Sequence, residues 1–280
     1  MRRERGGRVG GYCDGMGDAL QEGAGLLCER CGYPLSGLEG EPVCPECGLA
    51  VTESMPERRV GTAWQRGASV RAYLRTAIET LVRRRATFHD LRLVVNGRMR
   101  WLLVIHFALA TIAPVVSWVV FHARFGSGMV VWYQRSMPQM GGMAADVDAF
   151  AVPRTWAAVA IGAGVVPLLL LVLTWIETRG VRFFGKRRGW RVTGPIAWSV
   201  CAHAGIGWVI GSLVYALSPL AVIWLRPVYD LFPATTGVRV ATEAATWAPI
   251  AAFVVGMLAF ESLVYVGIRA CRYANEPRAD

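Results

Sequence analysis

The sequence has few charged residues for its length. Only 18% of its 280 residues are Asp, Glu, Lys or Arg, whereas 54% are apolar. A typical soluble domain has about 25% charged residues. The shortage argues against a soluble protein and favours a chain whose surface meets lipid.

Lysine is almost absent, since Lys186 is the only one. The net charge of +10 therefore comes from arginine. A basic balance raises the question of nucleic acid binding, but membrane proteins are basic too, because arginine collects on their cytoplasmic loops. The positions of the arginines must decide between these classes.

The first 25 residues lack the apolar run of about 7 to 15 residues that a signal peptide requires. We expect residues 1–25 to form a retained, disordered tail. In a chain without a signal peptide, closely spaced cysteines indicate a metal site rather than disulfides.

The sequence also lacks a recognisable catalytic motif. It contains no convincing nucleophile, carboxylate pair or phosphate-binding loop, and Gly162-x-Gly164 lies inside an apolar run without the strand and helix of a dinucleotide site. We expect no catalytic residue, and a protein that is not an enzyme.

Four long apolar runs dominate the rest of the chain. Because about 20 helical residues cross the roughly 30 Å hydrocarbon core, each run is long enough for a transmembrane helix. Tryptophans near the ends of the runs are typical of an aromatic belt. The predicted fold class is an all-α polytopic membrane bundle of about four helices with a small N-terminal zinc ribbon. Its transmembrane domain is 101–270, with spans at 101–121, 156–176, 196–217 and 247–268.

The third apolar run is longer than one span. It extends to Leu225, and we expect Ser218 and Pro219 to kink or end its helix. Residues 218–232 then form an extension, an interfacial segment or a fifth span. A fifth span would place Arg269 and Arg272 outside the cell, against the charge rule, so four spans are preferred.

Arginine is concentrated in alternate segments between the runs. Such segments face the cytoplasm, so the distribution predicts a multi-pass inner-membrane protein with both termini, including the tail 271–280, in the cytosol. The basic segments contain Arg83, Arg84, Arg85, Arg92, Arg98 and Arg100 before span one, Arg179, Arg182, Lys186, Arg187, Arg188 and Arg191 before span three, and Arg269, Arg272 and Arg278 after span four.

The most specific motif is a repeated Cys-x-x-Cys-Gly in residues 26–50. Cys28 and Cys31 form the first pair, and Cys44 and Cys47 form the second after twelve intervening residues. Each pair makes a tight knuckle that directs two thiolates at one ion, and the glycine after it can adopt the positive φ that the turn needs. These four cysteines are the predicted ligands of one structural zinc ion, the expected cofactor. Iron in a similar four-thiolate site is the alternative, but a closed tetrahedral site favours zinc.

Residues 27–48 resemble the zinc-ribbon or rubredoxin-like knuckle pairs at the start of many bacterial proteins, planctomycete ones in particular. More loosely, a basic helix before several compact spans resembles the Yip-like family of multi-span membrane proteins. That family usually has five spans, one more than the four predicted here. The resemblance implies a role in membrane organisation or trafficking.

The charge of the ribbon argues against nucleic acid as a partner. Between Leu26 and Ala50 it has one basic residue, Arg30, and four glutamates, which repel phosphate. We therefore expect a structural ribbon or one that docks a cytosolic protein. The sequence does not predict an oligomeric state.

Residues 51–100 are predicted to contain a linker and a basic amphipathic helix. The helix lies either on anionic lipid or with its apolar face against the protein's own cytoplasmic loops. Its apolar positions are Trp64, Ala68, Tyr73, Leu74, Ala77, Ile78 and Leu81.

Three ionisable residues fall within the predicted spans. His106, His203 and Glu261 are all expected at roughly 8 to 10 Å from the cytoplasmic boundary, at 1.5 Å per residue. They either fix the helices by hydrogen bonds or, as an alternative function, let His203 and Glu261 serve a small cation or proton-coupled transporter.

The loop after span one contains three methionines at a three-residue spacing. Met137, Met140 and Met143 resemble the methionine motifs of copper transporters, and thioethers select monovalent copper. Methionine also packs flexibly on a membrane surface, so both interpretations stay open.

Overall fold

A computed structural model describes residues 25–38, 42–94, 96–136, 141–224 and 234–277, with side chains for all of these except 118, 121–159 and 219–246. Within these ranges the chain forms eight α-helices. They are α1 (Ala63–Arg66), α2 (Val70–Val82), α3 (Arg84–His89), α4 (Gly97–Ser136), α5 (Gly141–Arg187), α6 (Gly194–Ala204), α7 (Ile206–Trp224) and α8 (Ala234–Ala270).

The predicted fold class is confirmed. The described residues form no β-strand beyond two isolated bridges, Leu27 with Pro34 and Val43 with Ala50, and both bridges lie in the ribbon. Four helical segments are long and apolar enough to cross a membrane. They are Gly97–Ser117, Ala160–Arg187, Gly194–Ser218 and Trp247–Ala270.

These segments expose large apolar side chains. Ile161 is 65% exposed, Leu168 61% and Leu258 60%. Proteins in water rarely expose so many large apolar side chains close together. Trp101 and Trp247 are also exposed, and each lies near the end of its segment, where head groups are expected. The four helices therefore suit a bilayer.

The helices α4 and α5 are longer than the predicted spans. α4 has 40 residues, or about 60 Å at 1.5 Å per residue, so it extends well beyond a hydrocarbon core of roughly 30 Å. The third helix does not end at Ser218 and Pro219, because α7 continues through both residues to Trp224, so a kink there is the alternative that stays a prediction. The interruption lies instead at Gly205, between α6 and α7.

The chain divides into two compact units. The ribbon unit consists of the described residues within Met1–Met99, Ile176–Cys201 and Tyr265–Asp280. The span unit consists of those within Arg100–Trp175 and Ala202–Val264. The ribbon unit thus gathers three segments that are far apart in the sequence.

Helix α2 begins at a cap and packs through a polar face. The Ser69 side chain accepts from the N–H of Ala72, and this satisfies one free donor of the first turn. Thr76 accepts from the N–H of Trp64, whose ring packs edge-on against Tyr73 with 6.3 Å between centroids. The buried residues of α2 are therefore Tyr73, Thr76 and Thr80.

The predicted apolar positions of α2 lie in two different environments. Tyr73 is buried against the protein, whereas Leu74, Ile78 and Leu81 are exposed, so neither of the two predicted placements, on lipid or against the protein's own loops, is contradicted. The hydroxyl groups of the two buried threonines form hydrogen bonds inside the unit, and hydrophobic periodicity does not register such bonds.

Helices α7 and α8 approach each other through glycine. A Cβ on Gly207 would lie 2.4 Å from the backbone nitrogen of Phe260, and one on Gly211 would lie 2.5 Å from the carbonyl oxygen of Ala252. Small residues such as these let two helices pack closely. At Gly162, in α5, no described atom lies within 4 Å of a Cβ.

Gly211→Leu and Gly162→Leu form a matched pair of variants. Both gain helix propensity, but only leucine at 211 must push two backbones apart. We expect Gly211→Leu to lower the free energy of unfolding by about 1 to 3 kcal/mol or more relative to Gly162→Leu. Thermal unfolding of the full chain in one detergent measures the difference, and equal melting temperatures would contradict the glycine contact.

Candidate metal centre

The two Cys-x-x-Cys-Gly sequences form knuckles of the same geometry. In the first, Gly32 donates its N–H to the carbonyl of Cys28 at 2.8 Å, and in the second Gly48 donates to Cys44 at 2.9 Å. Gly32 has φ 82° and Gly48 has φ 72°, values that favour glycine. The turns therefore form for the reason that the sequence predicted.

The knuckles bring four sulfur atoms together. All four Sγ atoms lie within 4.8 Å of one another, and the pairs Cys28 with Cys47 and Cys31 with Cys44 are 3.5 and 3.7 Å apart. A zinc ion about 2.3 Å from four tetrahedral sulfurs would set them about 3.8 Å apart. The cysteines form no disulfides, so the cluster fits a metal ion.

The environment of the sulfurs favours a cation. Burial raises the pKa of Cys28, but hydrogen bonds from the backbone of Cys31 and Arg30 outweigh it and lower that pKa to about 7. Burial and the neighbouring thiols raise the pKa of Cys31 to about 12. Four thiols this close lose all their protons only when a cation compensates the negative charge. Because a metal ion binds thiolates, deprotonation and metal binding occur together.

A buried ion pair attaches the first knuckle to the segment that follows the ribbon. Arg59 and Glu29 have side chains only 2% and 5% exposed, and they form two bonds of 2.8 and 3.1 Å. The remaining guanidinium nitrogen donates to the carbonyls of Phe88 and Leu91. A buried pair of this kind leaves an uncompensated charge when either partner is removed.

Asn275, in the C-terminal tail, attaches the same knuckle to the end of the chain. Its amide oxygen accepts from the N–H of Leu27 at 3.0 Å, and its amide nitrogen donates to the carbonyls of Leu27 and Ser54, each at 2.8 Å. Its backbone N–H donates to Glu29 at 3.2 Å. The tail therefore holds the ribbon mainly through hydrogen bonds between the side-chain amide of Asn275 and the backbone of Leu27 and Ser54.

Cys271 belongs to this contact rather than to the metal cluster. It is fully buried, and its thiol donates to the carbonyl of Phe88 at 3.3 Å. Burial raises the pKa of Cys271 to about 11, although the nearby Arg59 guanidinium lowers it. The side chain is therefore a neutral thiol at physiological pH.

The two knuckles differ in what covers them. A Cβ on Gly32 would lie 2.8 Å from the ring of Tyr273, and Arg272 donates to the carbonyl of Arg30 at 2.8 Å. At Gly48, the equivalent position, no described atom lies within 4 Å. One knuckle is packed against the tail, whereas no residue that the structure describes covers the same face of the other.

The three ionisable span residues have different surroundings. His106 and His203 are 2% and 1% exposed, and the His106 ring lies against Gly205, where the third span is interrupted. Glu261 is on the exposed surface of α8. In the part of the chain that the structure describes, only the four ribbon cysteines form a group of three or more metal-binding side chains.

Several predicted features lie outside the described residues. They include the tail 1–24, Met137, Met140 and most of the segment after Trp224. Met143 is in α5, but its side chain is among those that are not described. The copper hypothesis therefore stays a prediction.

Sequence reasoning missed the residues that attach the ribbon to the rest of its unit. Arg59 looks like any other arginine of the linker, and Asn275 is separated from Leu27 by 248 positions. Glu29 is one of the four ribbon glutamates, and the sequence indicates only that its negative charge repels phosphate. No local pattern marks these three residues, because their roles depend on long-range contacts.

Comparison with known proteins gives no relative. No family model, no curated protein and no solved structure matches this chain. Function must therefore be argued from the site itself.

Proposed function

We propose that the chain is a non-enzymatic scaffold of the bacterial inner membrane whose zinc-bound ribbon docks a cytosolic protein. The membrane location is supported by the four apolar helices, and the metal-binding module is supported by the cysteine cluster. Zinc is proposed because four thiolates in a closed tetrahedral arrangement are typical of structural zinc. Membrane organisation, as in the Yip-like proteins, is the role that we favour.

The contrast between the knuckles is the observation that carries the docking role. The first knuckle has the tail against it, so it is a fixed part of the ribbon unit. The second presents the same turn with Pro45, Glu46 and Gly48 exposed. The face that binds the C-terminal tail on the first knuckle has an equivalent on the second knuckle. We infer that this second face binds a partner protein.

The tail indicates the chemistry of the partner. At the first knuckle, Tyr273 lies on the glycine while Arg272 bonds the carbonyl two residues earlier. Glu46 occupies the position equivalent to Arg30, and its carboxylate adds attraction for a cation. The proposed partner presents an aromatic residue beside an arginine or lysine.

The proposed topology has four spans and both termini in the cytosol. The chain leaves the ribbon unit after Met99 and is back in it at Ile176, and it leaves again after Cys201 and is back at Tyr265. If the parts of the ribbon unit outside the candidate spans lie on one side of the membrane, each excursion has an even number of crossings. A fifth span in 218–232 would make the second number odd.

Transport is less well supported than docking. A relay between His203 and Glu261 needs both groups in one enclosed site, but His203 is buried while Glu261 is on the exposed surface of its helix. The buried histidines suit helix packing at the Gly205 interruption.

A photo-crosslinking amino acid at position 46 tests the docking role in cells. Position 30, its equivalent in the first knuckle, provides the matched control. We expect discrete adducts with a cytosolic protein from position 46 that position 30 does not give and that Cys44→Ser removes. Identical adduct patterns at both positions, or none at 46, would contradict the proposal.

A further inference from the structure

Helix α2 has an exposed apolar stripe that no described part of the chain covers. Val70, Leu74, Ile78 and Val82 follow one another at a spacing of four residues and are 79%, 53%, 59% and 75% exposed. At 3.6 residues per turn they lie within an arc of about 120°. The buried residues Tyr73, Thr76 and Thr80 lie on roughly the opposite side.

The stripe is bordered by positive charge. Arg71 and Arg75 line the same groove along α2, and Arg83, Arg84 and Arg85 follow directly after it. The one acidic residue of the helix, Glu79, is bonded to Arg75 at 2.8 Å, so it offsets the charge of Arg75 and leaves the charges of Arg71 and of the three arginines after the helix. Exposed arginines beside exposed aliphatic side chains are complementary to anionic lipid, whose head groups are negative and whose chains are apolar.

We propose that α2 is an interfacial helix that inserts its apolar stripe into the surface of a bilayer rich in anionic lipid. The first candidate span begins soon after α2, at Gly97, so the chain itself keeps this helix near a membrane. Arginine suits the site because its aliphatic stem lies along apolar surface while the guanidinium reaches the head groups. The contacts of Thr76 and Tyr73 hold the opposite side in the ribbon unit.

The test uses the purified full chain in nanodiscs, with a benzophenone amino acid in place of Ile78. Thr52, also exposed and in the same unit, is the matched control position. The discs contain phosphatidylcholine alone or mixed with phosphatidylglycerol, and mass spectrometry quantifies lipid adducts. We expect several-fold more lipid adduct at 78 than at 52, and more in the anionic discs.

Charge and stripe variants separate the two parts of the interaction. Each arginine near an anionic surface contributes about fivefold to binding, so Arg71→Gln should reduce the preference for anionic discs by about that factor. Salt near 1 M, where the Debye length is about 3 Å, should have a similar effect. Leu74→Gln with Val82→Gln should lower adducts in both kinds of disc. Zinc content, unchanged in each variant, verifies that the ribbon unit is folded.

Three outcomes would overturn the proposal. Equal lipid labelling at 78 and 52 would show that the stripe does not reach lipid. Adducts between two copies of the chain would assign the stripe to a protein interface instead. Equal labelling in neutral and anionic discs, insensitive to salt, would remove the role of the arginines.

Discussion

Removal of the metal is expected to release the C-terminal tail from the ribbon. A segment of this size cannot bury enough apolar surface to fold alone, and structural zinc contributes about 10 to 16 kcal/mol on an apparent scale. Once the first knuckle unfolds, Leu27 and Glu29 no longer hold Asn275 in place. Hydrogen–deuterium exchange should then lose protection in residues 26–55 and 271–277, while the span helices stay protected.

The variant Cys28→Ser with Cys31→Ser should reproduce the effect of a chelator. Cys13→Ser makes the same chemical change at a cysteine outside the two Cys-x-x-Cys-Gly sequences, so it serves as the control and should leave exchange unchanged. Full protection of 271–277 in the metal-free chain would contradict the dependence of the tail on the ribbon.

Arg59→Met is expected to destabilise the ribbon unit by about 3 to 5 kcal/mol, because it leaves the Glu29 carboxylate buried without its cation. The neighbouring Arg58→Met is the control, since Arg58 pairs with Glu53 at the surface with side chains 29% and 47% exposed. An exposed pair contributes at most about 1 kcal/mol. Free energies of local opening from hydrogen exchange at 26–38 provide the comparison.

A second substitution tests the cause of the Arg59 effect. Glu29→Gln removes the charge but keeps an oxygen that accepts from the N–H of Asn275. Combined with Arg59→Met, it should therefore recover part of the lost stability. A double variant that is less stable than Arg59→Met alone would assign the loss to packing rather than to the buried charge.

Local spacing was sufficient to predict the knuckles and the presence of four long apolar helices, although not the bounds of those helices. The Cys-x-x-Cys-Gly repeat specifies both the turn and the direction of its thiols, and the structure brings the four sulfurs together. An apolar run of span length has no stable surroundings except lipid, so its helix is determined by composition. Predictions of this kind need only neighbouring residues.

Features that depend on distant partners were not predicted. Thr76 is buried in α2, where its hydroxyl accepts from the N–H of Trp64, while more apolar neighbours stay exposed. The interruption at Gly205 occurs where the His106 ring comes close to the backbone, and Pro219 gave a stronger local signal for a break. In each case, contacts in the folded structure determine which residue is buried or where the helix is interrupted.

The zinc content of the purified full chain is the most direct test of a metal-bound ribbon. Elemental mass spectrometry should find about one zinc per chain, since four thiolates complete one tetrahedral site. The ratio should fall to near zero in Cys28→Ser with Cys31→Ser and stay near one in Cys13→Ser. Zinc that is absent from the wild-type chain, or unchanged after both ligand cysteines are replaced, would contradict the assignment of the metal to this cluster.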